Sequence, residues 1–323
     1  MKVLSLFDWI ACWYEALLRA WIKVEAYYAS EIDKYAIQIA QKNHPDIIQI
    51  WDVCNVKWED YQDIDLLIWG SPCQWFSIAW KMLNFNDPRS KLFFEFLRLK
   101  EEIKPKYFLL ENVKMRKERI DIISWYLWVQ PIEINSALVS AQNRRRLYRT
   151  NIPGVSQPKD KGILLKDILQ ENVDEKYYLT ERQYQMIDNW KWYEKPLENI
   201  KWPNDKIWTL TTHVWKFSNS IKLVREIKRI GGMYGQVTRW GIYDKEWLAP
   251  TITASMWMWW WHIPMVQEIK YIRRLTPIEC ERLQTMPDNY TEWVSDAQRY
   301  KMLGNWWTVD VIAHIFSFIK QNG

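Results

Sequence analysis

Glycine is scarce in this chain. There are 9 glycines in 323 residues, where an ordinary share of about 7% would give roughly 23. Cysteine is sparse and unpaired: Cys12, Cys54, Cys73 and Cys280 show no C-x-x-C spacing. That spacing argues against both a zinc site and a disulfide framework, so no metal is expected and a reducing cytoplasm fits. No apolar run reaches membrane-spanning length, so no membrane association is expected. The start, Met1-Lys2-Val3-Leu4-Ser5-Leu6-Phe7, carries no basic segment ahead of a long apolar one, so a signal peptide is not expected.

What is present is an ordinary globular composition with one exception. The chain is 48% hydrophobic and 26% charged, with a net charge of +5. Its length suits two domains. Its charge permits nucleic-acid binding without requiring it. The exception is tryptophan, which occurs 24 times.

The first half alternates strand and helix patterns. Strands are expected at Val3–Phe7, Val24–Ala29, Ile47–Ile50, Ile64–Ile68 and Tyr107–Leu110, and further ones at Ile132–Asn135 and Leu147–Asn151. Helices are expected at Tyr14–Ala20, Lys34–Lys42 and Lys91–Ile103, the latter two stopping ahead of a proline as sterics require. This order predicts an α/β fold, with right-handed βαβ units building a mostly parallel, doubly wound sheet. From about residue 154 to 272 the pattern becomes irregular, with short strands such as Thr209–Thr211 and Thr251–Thr253. This stretch reads as a second, smaller domain. Thr276-Pro277-Ile278-Glu279 then reads as a helix start with a capping box, and Val309–Ile319 as a final amphipathic helix.

In doubly wound sheets ligands bind at the strands' carboxyl ends. Four acids fall there: Asp8, Glu31, Asp52 and Glu111. Glu31, after the second strand, stands where nucleotide-binding α/β domains set an acid against ribose hydroxyls; a solvated helix cap is the plain alternative. Cys73, in the loop Ser71-Pro72-Cys73-Gln74 beyond the fourth strand, is placed like a nucleophile, although a lone cysteine is more often a small buried hydrophobe. Arg144, Arg145, Arg146 and Arg149 read either as a solvated charge run or as a strand. In a strand, Arg144 and Arg146 would share a face and could clamp a phosphate or a base.

In order along the chain stand Phe7, Trp13, Glu31, Asp52, Gly70-Ser71-Pro72-Cys73-Gln74, Glu111-Asn112-Val113 and Gln142-x-Arg144-x-Arg146. Arg274-Leu275-Thr276-Pro277, with Glu279, Arg282, Leu283 and Gln284, and then Leu303-Gly304-Asn305 complete the series. This series resembles the DNA (cytosine-5) methyltransferases over nearly the whole chain. The resemblance implies a Rossmann-like methyltransferase sheet, with S-adenosyl-L-methionine as cofactor and double-stranded DNA as substrate. It implies a catalytic domain at 1–153, a target-recognition domain at 154–272 and a return to the catalytic domain at 273–323. Cys73 would attack C6 of a flipped-out cytosine, Glu111 would hold its N3/N4 edge, and Arg144 and Arg146 would position the base. Phe7, Glu31, Asp52, Pro72, Leu92 and Asn305 would line the cofactor pocket. A monomer is expected, with a cognate restriction endonuclease as a partner to look for. An RNA cytosine-5 methyltransferase is the alternative in the same chemistry, and a non-catalytic nucleic-acid-binding protein is the alternative outside it. The Asp/Asn/Ser-Pro-Pro-Tyr/Phe motif of amino-methyltransferases is absent.

The chain departs from that family at glycine. Trp9 and Trp13 stand in the first motif where the family has glycine, and similar conflicts arise at Trp51, Trp69, Trp75 and Trp80. Met256-Trp257-Met258-Trp259-Trp260-Trp261 stands where similar sequences carry a glycine-rich loop. A UGA codon read as Trp under one genetic code and as Gly under another would exchange the two residues selectively. Glycines from other codons, such as Gly70, Gly231, Gly232 and Gly304, would survive. Deliberate alteration of the sequence would also do so.

Overall fold

A computed structural model describes residues 1–70, 88–180, 229–232, 241–243, 249, 265–268 and 271–321. The expected strands at 209–211 and 251–253, the tryptophan run at 257–261, and Pro72 and Cys73 lie outside the described residues. The chain divides into two compact units. The first comprises Met1–Asn135, Arg145–Pro158 and Trp307–Gly323; the second comprises Ser136–Arg144 and Lys159–Trp306.

The first unit is built on a seven-stranded sheet. Its strands are β1 (Lys2–Leu6), β2 (Ala26–Ser30), β3 (Ile48–Gln49), β4 (Leu66–Gly70), β5 (Tyr107–Val113), β6 (Ile132–Asn135) and β7 (Arg145–Thr150). They lie in the order β3-β2-β1-β4-β5-β7-β6. The first five pair in parallel, and β7 runs antiparallel to both β5 and β6. The chain leaves β1 toward β2 on one side and returns to β4 on the other, so the order reverses at β1. In open α/β sheets ligands bind outside the carboxyl ends of the strands at such a reversal.

The helices of this unit are α1 (Cys12–Arg19), α2 (Lys34–Asn43), α3 (Pro88–Ile103), α4 (Lys117–Leu127) and the C-terminal Val309–Gln321. The helix α2 begins where expected because Asp33 caps it, its side chain accepting from the N–H groups of Tyr35 and Ala36. Strand β4 is buried along its whole length, as a central parallel strand covered on both faces should be. On one face its Leu67 and Trp69 join Leu4, Leu6, Phe93, Phe96, Leu99, Phe108 and Leu110 in one core cluster.

In the second unit, β8 (Arg229–Gly232), β9 (Gly241–Tyr243), β10 (Met265–Glu268) and β11 (Tyr271–Arg274) form a four-stranded sheet in the order β11-β10-β9-β8. The helices α5 (Pro277–Leu283) and α6 (Asp296–Asn305) follow. The capping box read from the sequence is present: Thr276 Oγ1 accepts from Glu279 N–H, and Glu279 accepts from Thr276 N–H at 2.8 Å. Glu279 also takes both arms of the Arg273 guanidinium, at 2.8 Å each, with both side chains fully buried. No described helix is long and apolar enough to cross a membrane.

Candidate active site

The geometry starts from the period-two alternation of β5. Glu111 and Val113 point to one face of the sheet, and Asn112 points to the other. Arg146 is the register partner of Val113, so it shares the face of Glu111. Its Nε lies 3.0 Å from Glu111 Oε1, and both side chains are largely buried. On the opposite face Arg149 donates to Asn112 Oδ1 at 2.9 Å and to the carbonyl of Ile120 in α4 at 3.1 Å. Arg149 is fully buried, and burial lowers its guanidinium to about 10. The arginine run is therefore not a solvated stretch. Arg145 pairs with Glu133 at 3.1 Å. Arg144, also buried, precedes β7 and belongs to the second unit, where its carbonyl accepts from Ser136 N–H. The guanidiniums expected to share a strand face thus fall in two units, with only Arg146 inside β7.

Glu111 is also the register partner of Gly70, the last residue of β4. Adjacent strands lie about 4.8 Å apart. Cys73 follows Gly70 by three residues, a path of about 11 Å at most.

The carboxyl ends of β1 and β2 carry the other acids. Glu31 is buried and accepts three backbone N–H groups: Trp9 on Oε2 at 2.9 Å, and Ile32 and Asp33 on Oε1 at 2.8 Å each. Burial raises its carboxyl above the ordinary value, while those donors oppose the shift. The cap of α2 is Asp33, so Glu31 is not a solvated helix cap. Asp8, fully buried beside it, accepts from Tyr27 Oη at 2.5 Å, and burial pushes its carboxyl up to about 7. In the sequence alone Asp8 is only a strand-end acid. The pairing with Tyr27 follows from the parallel register that sets β1 beside β2.

Phe7 is half-buried, with its ring 6.2 Å from that of Trp69. Asp52 is exposed and accepts from Cys54 N–H at 2.9 Å. Leu92 in α3 packs partly buried against the core cluster. Asn305, exposed, ends α6 in the second unit. Around it the buried Gln284 donates to the carbonyls of Leu303, at 2.8 Å, and Trp306, at 3.2 Å. That clamp gives the motif glutamine a structural role that spacing alone did not reveal.

A strand order of 3-2-1-4-5-7-6, with acids at the ends of β2 and β5, is a strong pattern, and comparison decides the family. Residues 1–119 and 136–321 match the model of the C-5 cytosine-specific DNA methylases. The chain belongs to that family. These methylases include the Type II methyltransferase M1.ScrFI of Lactococcus lactis subsp. cremoris, 32% identical over 304 residues, covering 88% of this chain and 69% of the relative. The Type II methyltransferase M.NlaX of Neisseria lactamica is 29% identical over 99% of this chain and 96% of its own. Among solved structures, the Entamoeba histolytica methyltransferase EhMeth superposes with a TM-score of 0.71 at 18% identity, covering 100% of this chain and 98% of its own. The S. pombe Dnmt2 methyltransferase gives 0.66 at 17% identity, covering 100% and 99%. These structural likenesses establish the methyltransferase fold.

Proposed function

We propose that this methyltransferase uses S-adenosylmethionine and methylates C5 of a cytosine flipped out of duplex DNA, through a covalent bond from Cys73 to C6. The observation that carries the reading is the register pair Gly70–Glu111. It puts the buried Glu111–Arg146 ion pair beside the strand end from which the chain runs to Cys73.

The cofactor's chemistry fits the residues at the ends of β1 to β3. Glu31 receives three N–H donors, and an ionised carboxylate has about four lone-pair sites. One site is therefore left for a ribose hydroxyl. Phe7 would lie against the adenine, and Asp52, Pro72 and Leu92 would complete the pocket. When bound, S-adenosylmethionine supplies an electrophilic methyl group on sulfur.

The chain's own residues do the rest. The Cys73 thiolate forms a bond to C6, and the ring's electron pair moves toward C5, which becomes the nucleophile for that methyl group. Glu111 holds the N3/N4 edge, so that a proton at N3 relieves the charge that builds on the ring. Arg146 fixes the Glu111 carboxylate through its 3.0 Å contact and steadies the base. The C5 proton then passes to solvent water, the C5–H electron pair re-forms the C5–C6 double bond, the C6–S bond breaks, and Cys73 leaves as thiolate. Target choice falls to the domain at 154–272, and catalysis to 1–153 with 273–323. A restriction endonuclease of the same specificity is the partner that Type II relatives imply.

The test is methyl transfer from labelled S-adenosylmethionine to duplex DNA and to tRNA. Transfer to duplex DNA is expected. Glu111→Gln should lower kcat by about 100-fold or more, the scale of general acid–base assistance, with DNA binding retained. Transfer to tRNA alone would replace the substrate assignment. Unchanged kcat in Glu111→Gln would remove Glu111 from the chemistry.

A further inference from the structure

We infer that Trp9, Trp21, Trp51 and Trp128 are glycine in the protein as its own host makes it, through UGA codons decoded there as glycine. The backbone carries the argument. Among the described residues ten non-glycine positions have positive φ. Asp63 and Asn289 are residue types that visit this region readily. Four others are tryptophan: Trp9 at φ 58°, Trp21 at 57°, Trp51 at 61° and Trp128 at 58°. For a bulky side chain this conformation is a true outlier.

The local hydrogen bonds say what residue 21 should be. Ala20 caps α1. Trp21 N–H donates to the Leu18 carbonyl at 2.9 Å, and Ile22 N–H donates to the Leu17 carbonyl at 3.0 Å. That pair of bonds is the Schellman motif, whose left-handed position after the cap is usually glycine. Trp128 closes α4 in the same left-handed conformation, at φ 58° and ψ 23°. Both indoles stand in solvent, 84% and 83% exposed, so no packing offsets the backbone strain.

Trp307 is the contrast. It has no positive φ and is buried, its ring 4.4 Å from that of Trp13. A Cβ added to Gly70 would overlap Trp307 Cη2 and Cζ2. Position 307 is thus built for a large ring, and position 70 is built to receive it. An exchange that strikes turn positions yet spares a packed one is what a second codon meaning would leave. At residue 9 the consequence bears on the site. Glycine there would keep the N–H bond to Glu31 and remove an indole from the end of β1, which rests on the cofactor reading above.

The test is peptide mass spectrometry of the protein purified from its native host, beside the coding DNA. Glycine is expected at 9, 21, 51 and 128 with UGA codons, and tryptophan at 307 with UGG. Tryptophan at the four positions in native protein, or UGG codons there, would overturn the inference. Neither readout depends on activity, so a failure of the cofactor reading would leave it untouched. A second measurement compares thermal midpoints of the chain as written and its W21G/W51G/W128G variant. The variant should melt higher, and alanine at the same positions should recover less; equal midpoints would refute the strain argument.

Discussion

The buried acid beside β2 should make stability fall as pH rises from about 4 to about 7. Asp8 has its carboxyl raised from 3.8 to about 7, chiefly by burial, with Glu31 adding in the same direction and hydrogen bonds from Ser5 and Tyr27 opposing. The folded chain therefore holds this proton more tightly than the unfolded chain. The contribution is fully present below about pH 4. It is lost as the unfolded carboxyl ionises first, and it is gone above the folded value near 7. Three units at 1.36 kcal/mol each give about 4 kcal/mol across that window, a large share of a native stability of about 5–15 kcal/mol. Asp8→Asn keeps an oxygen for the Tyr27 hydroxyl, bonded at 2.5 Å, and carries no charge at any pH. Urea unfolding of parent and variant at pH 5, 6, 7 and 8 isolates the effect, because every other titrating group is common to both. The variant should show a flatter profile and gain on the parent by about 2.7 kcal/mol between pH 5 and 7, with little further change at pH 8. Parallel profiles would mean that Asp8 is not held protonated, and the reasoning would fail.

Three further outcomes follow from packing and pairing. Gly70→Ala should cost about 1–3 kcal/mol, the usual penalty of overpacking, since its Cβ meets the Trp307 ring; replacing Trp307 by leucine in that background should recover part of the loss in urea unfolding. Arg149→Met should cost about 1–3 kcal/mol for each acceptor left behind, namely Asn112 Oδ1 and the Ile120 carbonyl, and unchanged stability would show that solvent reaches both. Glu279→Gln should cost about 3–5 kcal/mol by leaving the buried Arg273 without its counter-charge, read as a drop in the unfolding midpoint.

Much of the sheet was legible because its signals are local. Apolar runs bounded by acids marked β1, β2, β4 and β5, and the threonine–proline–glutamate series marked the start of α5. What was missed had mixed or non-local signals. In α4 the alternation Ile120-Asp121-Ile122 imitates a strand, while its buried residues are Ile123, Ser124 and Leu127. In α6 a buried arginine, Arg299, sits among Tyr300, Met302 and Leu303 and breaks the apolar stripe. It is satisfied by Glu281 at 2.9 Å and Thr291 at 2.9 Å, partners that no short window contains. The reversed direction of β7 follows from pairing on both flanks, and composition says nothing of it. At the site, the acids at strand ends were readable one by one. That Glu111 would meet Arg146 and that Arg149 would turn to Asn112 depends on the β5–β7 register. The positive φ at Trp9, Trp21, Trp51 and Trp128 gives a structural cause for part of the glycine deficit seen first in the composition.

The most direct test of the proposed chemistry is to trap the covalent intermediate. Duplex DNA carrying 5-fluorocytosine blocks the last elimination, so the nucleophilic sulfur stays bound to C6. Of the other cysteines, Cys12 and Cys280 are buried, and burial holds the Cys280 thiol well above its ordinary range, which leaves little thiolate for attack. Digestion and mass spectrometry of the trapped complex should place the nucleotide on Cys73, and Cys73→Ala should abolish the complex while still binding DNA. A nucleotide on Cys12, Cys54 or Cys280, or a complex that survives in Cys73→Ala, would contradict the mechanism.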